Sequence, residues 1–194
     1  MPNRKDSPLV KLNKIYTRTG DAGATGLVDG SRVAKTAPVI AAIGDVDEAN
    51  SAIGVASAAL SDSPLADDLS TIQNDLFDLG ADLATPEGIA GALRITAGQV
   101  TRLEERIDAL NAALAPLTSF ILPGGSAAGA ALHLARTVTR RAERSAVAMG
   151  GCNAHALAYL NRLSDFLFVA ARHVNKDRGG DVLWQPGATR RASD

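Results

Sequence analysis

A chain of 194 residues is long enough for one domain with its own core and leaves little room for a second catalytic domain. Its 46% hydrophobic and 21% charged residues exclude a wholly disordered or collagen-like chain, and aromatics at only 4% favour close-packed helices over sheets. Lys+Arg 20 against Asp+Glu 21 gives a net charge of -1, which excludes a whole-molecule field for nucleic acid or anionic lipid, so any anion site must be local.

Residues 1–36 carry Gly20, Gly23, Gly26 and Gly30 with neither helical nor strand periodicity, and read as a glycine-rich loop region. The first fifteen residues have no apolar run of the ~7 to 15 residues that a secretory signal needs. Cys152 has no second cysteine to pair with, so the reducing cytoplasm is expected. No apolar run approaches the ~20 residues that span a bilayer.

From Pro38, the residues Val39, Ile43, Val46, Ile53 and Leu60 line one helical face, which Ser61-Asp62-Ser63-Pro64 ends. A second helix carries Leu65, Leu69, Ile72, Leu76, Leu79 and Leu83 before Thr85-Pro86 breaks it. Thr96-x-x-Gln99 resembles a capping box and opens a third, with Val100, Leu103, Ile107, Leu110 and Leu114 as its stripe and Pro116 at its end. Ser126 is an N-cap for a fourth helix that runs to Met149, where Gly150-Gly151 stops it. The fifth covers Ala154 to Asn175. The expected architecture is all-α, a single domain over 1–194: a glycine-rich N-terminal segment (1–36), a five-helix up-and-down bundle (37–176) and a tail (177–194) in which Val182, Leu183 and Trp184 can pack.

Three features stand out chemically. In Thr17-Arg18-Thr19-Gly20-Asp21-Ala22-Gly23-Ala24-Thr25-Gly26, close glycines let backbone amides converge on an anion and hydroxyls donate to phosphate, although the segment also reads as ordinary turns. It is neither a P-loop nor a Rossmann turn. On the fourth helix Arg136, Arg140 and Arg144 recur every four residues, and such like-charge pairs cost about 0.2 to 0.5 kcal/mol each, so something offsets them: carboxylates on a solvated face, or a bound polyanion. On the fifth, Asn161 and Asp165 share a face beside Arg162, for helix-to-helix hydrogen bonds or for a ligand.

Other residues carry less. His133, His155 and His173 lack metal-ligand spacing, so no protein metal site is expected. Cys152 has no evident base and is not expected to act as a nucleophile. Asp45, Asp47 and Glu48 suit the start of a helix, and Asp47 also suits an arginine partner. Phe120 beside Pro123-Gly124-Gly125 packs in the core or walls a ligand pocket.

Taken together, KIYTRTGDAGATG, GDVDEANSAIG, SFILPGG, HLARTVTRRAER and YLNRLSDFLF resemble, in order, the blocks of the PduO-type ATP:cob(I)alamin adenosyltransferases over nearly the whole chain. Ala49 departs from a frequent Leu, and Val39 and Ile43 from frequent Arg and Tyr. The resemblance implies a cytoplasmic homotrimer with its active sites between subunits. In it Thr17, Arg18, Thr19, Gly20, Asp21, Gly23, Thr25, Gly26 and Lys35 would wrap ATP. Arg140, Arg141 and Arg144 would hold the triphosphate with Mg2+, and Glu143 and Asn161 would complete that site. Arg136 would pair with Asp47 across the interface, Phe120 would block the lower face of cobalt, and Arg162 and Asp165 would shape the cobalamin side. The implied reaction moves the 5'-deoxyadenosyl group of ATP to cob(I)alamin, giving adenosylcobalamin and triphosphate. A reductase and an adenosylcobalamin-dependent mutase would be partners. The alternative is a carrier that delivers adenosylcobalamin to such a mutase.

Overall fold

The computed structural model describes residues 15–60 and 63–190. The region read for a secretory signal is outside these except for Ile15, as are Ser61, Asp62 and the last four residues of the tail. Among the described residues the chain forms a short hairpin, β1 (Ala24–Gly26) and β2 (Arg32–Ala34), and five helices: α1 (Pro38–Ala58), α2 (Leu65–Leu83), α3 (Ala97–Asn111), α4 (Ala127–Met149) and α5 (Ala154–Asn175). Helix α1 packs on α2 and α4, and α5 on α4 and α3. The core lies between these faces.

The hairpin corrects the reading of residues 1–36 as loop alone. Its antiparallel strands pair Ala24 with Ala34, Thr25 with Val33 and Gly26 with Arg32. Three residues per strand are too few to display a period of two. The informative signal was the turn: Asp29 Oδ1 accepts from Ser31 N at 2.9 Å and Ser31 Oγ at 2.6 Å, while Gly30 takes φ 82°.

All six apolar residues of the α2 stripe are buried, each worth about 1.5 to 3 kcal/mol when fully removed from water. In α1 the inner face is Ala42, Val46, Ala49, Ile53 and Ala56, whereas Val39 and Ile43 are only half-buried. Alanines at seven-residue intervals bring α1 and α4 close together. The capping box of α3 forms between Thr96 and Gln99, but the helix stops at Asn111, five residues before Pro116, and leaves Leu114 outside it. Ser126 caps α4 by accepting from Gly129 N at 3.1 Å, and Gly150 ends it at φ 73°.

Polar ties fix the helices relative to one another. Asp75 on α2 accepts from Tyr159 Oη at 2.8 Å, from Gln99 Nε2 at 3.0 Å and from Arg102, joining α2, α3 and α5. Asp82 accepts from Arg94 Nη1 at 2.6 Å, from Ile95 N at 2.8 Å and from Asn153 Nδ2 at 2.8 Å, locking the connection before α3 to the cap of α5. The segment after α5 is pinned as well. Leu122 N donates to the Val182 carbonyl at 2.8 Å, Trp184 N to the Phe120 carbonyl at 2.7 Å, and Ile121 bridges Leu183.

Candidate active site

The glycine-rich segment folds around its own hairpin. Arg32 Nη2 donates to the Thr19 and Ala24 carbonyls at 2.7 and 3.1 Å, and Thr17 and Thr19 hydroxyls meet at 2.9 Å. Lys35 N donates to the Gly23 carbonyl at 2.8 Å. The Lys35 ammonium lies so close to Gly20 that a β-carbon there would sit 3.2 Å from Nζ. Lys35, which the resemblance grouped with Thr17–Gly26, thus lies against that segment. Arg18 takes φ 63° without being glycine, and its guanidinium lies 5.6 Å from the centre of the Tyr16 ring.

Helix α4 sends its arginines in different directions. Arg141 turns to α1, pairing with Glu48 and with Asp45 at 3.6 Å, while Ser145 Oγ donates to Asp45. Glu48 keeps the Arg141 guanidinium charged beyond its ordinary range. Arg140 and Arg144 are exposed, Arg144 Nη1 donating to the Arg140 carbonyl at 3.0 Å. Among the described residues neither forms an ion pair with a carboxylate, so their mutual repulsion is left for a ligand or partner to offset.

Arg136 turns the other way, into an apolar cleft of ≈ 450 Å³ walled by Leu117, Ser119, Phe120, Ile121 and Phe168. Burial first, then the Arg140 charge, pull its pKa below the usual guanidinium range. Its guanidinium lies 6.0 Å from the centre of the Phe168 ring. Phe120 is 77% exposed and meets Trp184 edge to face at 6.0 Å. An aromatic so exposed is not core, and Phe120 stands instead on the wall of this cleft. Asp47 lies elsewhere, exposed on a second apolar groove of ≈ 360 Å³ with Ile43, Leu76 and Phe77. Within one chain, Asp47 and Arg136 line separate grooves.

The polar face of α5 forms a relay. Asn161 Nδ2 donates to Glu143 Oε1 at 3.0 Å, and Arg162 Nη1 donates to Asn161 Oδ1 at 3.1 Å and Asp165 Oδ2 at 3.2 Å. Glu104 on α3 holds the other side of Arg162 at 2.9 Å. Sequence reasoning grouped Asn161, Arg162 and Asp165 by spacing but missed Glu104 and Phe168, because nothing local marks a partner 58 residues away.

Among the described residues no three His, Cys, Asp or Glu side chains gather where they would hold a metal ion. No described helix is long and apolar enough to cross a membrane.

A glycine-threonine segment with a lysine laid over it, an arginine-bearing helix and an apolar cleft beside that helix are the chemical features of the candidate site. The profile of the cobalamin adenosyltransferase family matches residues 15–174. The corrinoid adenosyltransferase of Mycobacterium tuberculosis is 53% identical over 193 residues, covering 95% of this chain and 99% of that protein. That of Bacillus subtilis is 49% identical, covering 90% and 94%. A phenylalanine-to-histidine variant of a PduO-type ATP:corrinoid adenosyltransferase from Lactobacillus reuteri, complexed with cobalamin and ATP, superposes at a TM-score of 0.84 with 39% identity, covering 89% of this chain and 97% of that one. An arginine-to-lysine variant from the same organism, complexed with ATP, gives 0.81 at 39% identity, covering 88% and 100%. The chain belongs to the cobalamin adenosyltransferase family.

Proposed function

We propose that this protein transfers the 5'-deoxyadenosyl group of ATP to cob(I)alamin. The observation that carries the reading is the division of α4: Arg136 opens into an apolar cleft beside Phe120, while Arg140 and Arg144 stand exposed next to it without carboxylate partners. One relative, bound to cobalamin and ATP, was altered at a phenylalanine, and another, bound to ATP, at an arginine, the two residue types on which this reading rests.

In the reaction the cobalt(I) electron pair attacks C5' of ATP, a Co–C bond forms, the C5'–O bond breaks, and its electrons leave with triphosphate. Cobalt(I) is itself the nucleophile, so no general base is required of the protein. Alignment of two bound substrates can supply about 7 to 11 kcal/mol, and stabilisation of the charge on the departing triphosphate adds to it. Thr17, Arg18, Thr19, Gly20, Asp21, Gly23, Thr25, Gly26 and Lys35 wrap the nucleotide, and Arg140, Arg141 and Arg144 receive the triphosphate, Arg141 exchanging one of its α1 carboxylates for phosphate. Glu143 and Asn161 complete that side. Mg2+ entering with the nucleotide would neutralise phosphate charge beside these arginines. Phe120 shields the lower face of the corrin, and Arg162 and Asp165 shape that side.

Asp47 and Arg136 line different grooves of one chain, which supports an ion pair between copies in a homotrimer, each site lying between two subunits. Residues 1–194 act as one unit in the cytoplasm, supplied by a reductase that delivers cobalt(I) and drained by an adenosylcobalamin-dependent mutase. The test is an anaerobic incubation with reduced cobalamin, Mg2+ and ATP. Adenosylcobalamin and triphosphate should appear in equal amounts. Corrinoid binding with no consumption of ATP would instead leave a carrier.

A further inference from the structure

Behind the apolar cleft lies a polar junction that adenosyl transfer does not use. His133, one turn before Arg136 on α4, is 2% exposed, and neither of its ring nitrogens has a hydrogen-bond partner among the described residues. Its imidazole meets Phe168 edge to face, ring centres 6.2 Å apart. Phe168 therefore has His133 against it from inside, carries Arg136 at its ring, and forms a wall of the cleft outside.

The charges facing His133 come from two places in the chain. Arg136 is on its own helix, and Asp181 follows α5. Asp181 Oδ2 accepts from Arg172 Nε of α5 at 2.8 Å, whereas Asp181 Oδ1 is buried with no hydrogen-bond partner among the described residues. A buried imidazole with no acceptor for a second proton is cheapest in its neutral form. Burial first, then Arg136, hold its pKa below the ordinary 6.5, and Asp181 acts in the opposite direction. A proton gained here would set a second cation beside Arg136 and give the imidazolium one attractive target, the free oxygen of Asp181.

We propose that His133 is a positioning residue for the corrinoid cleft: neutral, it backs Phe168 and leaves Arg136 seated against that ring; protonated, it turns to Asp181, repels Arg136 and unsettles the wall. This inference rests on the cleft being the corrinoid side of the site. Binding linkage makes it quantitative, because a proton that weakens corrinoid binding must itself be bound more weakly, by the same factor, once corrinoid is in place.

The probe is cobinamide, a corrinoid with no lower base of its own to titrate. Its affinity is measured from about pH 8 to about pH 5, the window in which histidine titrates, alongside that of Mg-ATP. Cobinamide Kd should rise several-fold by about pH 5, towards a limit of about tenfold, with Mg-ATP affinity flat, and His133→Phe should remove the rise. NMR titration of the wild-type imidazole gives a second reading that needs no variant: saturating cobinamide should lower its pKa by about one unit. A rise that persists in His133→Phe, no rise in the wild type, a parallel loss of Mg-ATP affinity, or an imidazole pKa indifferent to cobinamide each overturns the role of His133 and leaves the transferase reading standing. Failure of cobinamide to bind at any pH overturns both.

Discussion

Asn175, the last residue of α5, lies against Gly129 in the first turn of α4 so closely that a β-carbon at position 129 would overlap its carboxamide. The carboxamide cannot easily withdraw. Its Oδ1 accepts from Ser126 N and Ser126 Oγ at 3.0 Å each, its Nδ2 donates to the Gly124 carbonyl at 2.9 Å, and the residue is 2% exposed. Gly129→Ala should therefore destabilise the protein by about 1 to 3 kcal/mol, because overpacking outweighs the ~1 kcal/mol that alanine gains as a helix former. Denaturant unfolding checks the sign, and Asn175→Ala in the same chain should recover part of the loss.

Asp82 is the acceptor at the centre of the tie between α2, the loop before α3 and the cap of α5. Its side chain is 1% exposed and that of Arg94 28%. Asp82→Ala should cost about 3 kcal/mol, at the low end for a broken buried pair because Arg94 still reaches water. Asp82→Asn, which keeps the shape and one acceptor, should cost less. Equal stability of all three proteins in chemical denaturation would show the tie to be ornamental.

Tyr159 is fully buried, and burial first, then the Asp75 carboxylate that it donates to, drive its pKa far above the ordinary 10. The raised value means that the stabilisation is complete below pH 10 and is lost as pH climbs beyond the unfolded value of 10. In a Tyr16→Phe background, the phenolate absorbance should appear only together with unfolding. Tyr159→Phe should cost about 1.5 to 3 kcal/mol, the range for a hydrogen bond to a charged group.

The proposed function gives Arg140 to the triphosphate and Phe120 to the corrinoid, and variants of the two test it. Arg140→Ala should lower kcat by about 10² to 10³-fold with the helical circular dichroism unchanged, since an exposed arginine contributes little to folding. Phe120→Ala should spare ATP affinity and slow Co–C bond formation. Equal losses of ATP and corrinoid affinity in Phe120→Ala would contradict the assignment of the two faces.

The helices were legible because their signals are local. Six of six α2 stripe residues are buried, and α4 and α5 run between the residues that their Ser126 cap, Gly150 stop and apolar spacing indicated. The early end of α3 was not legible, since Leu114 continues the spacing although the backbone has already left the helix. The candidate site was half legible. Residue types and spacing marked Arg140, Phe120 and Asn161, but Glu104, Phe168 and His133 owe their place to contacts between elements, which no single segment encodes. Val39 and Ile43 looked like core in α1 and stand half-buried at groove edges, the inner positions having gone to alanine.

The pairing of Phe120, Ile121 and Leu122 with residues 182–184 also sets a timetable. Ser119 and Trp184, whose hydroxyl and carbonyl meet at 3.1 Å, are separated by 65 positions. A ribosome adding about 5 to 20 residues per second needs roughly 3 to 13 s to cover that gap. During that interval α4 and α5 are being made while one wall of the cleft waits for its other strand, so a nascent chain has the residues of its helical scaffold before it has those that finish the cleft.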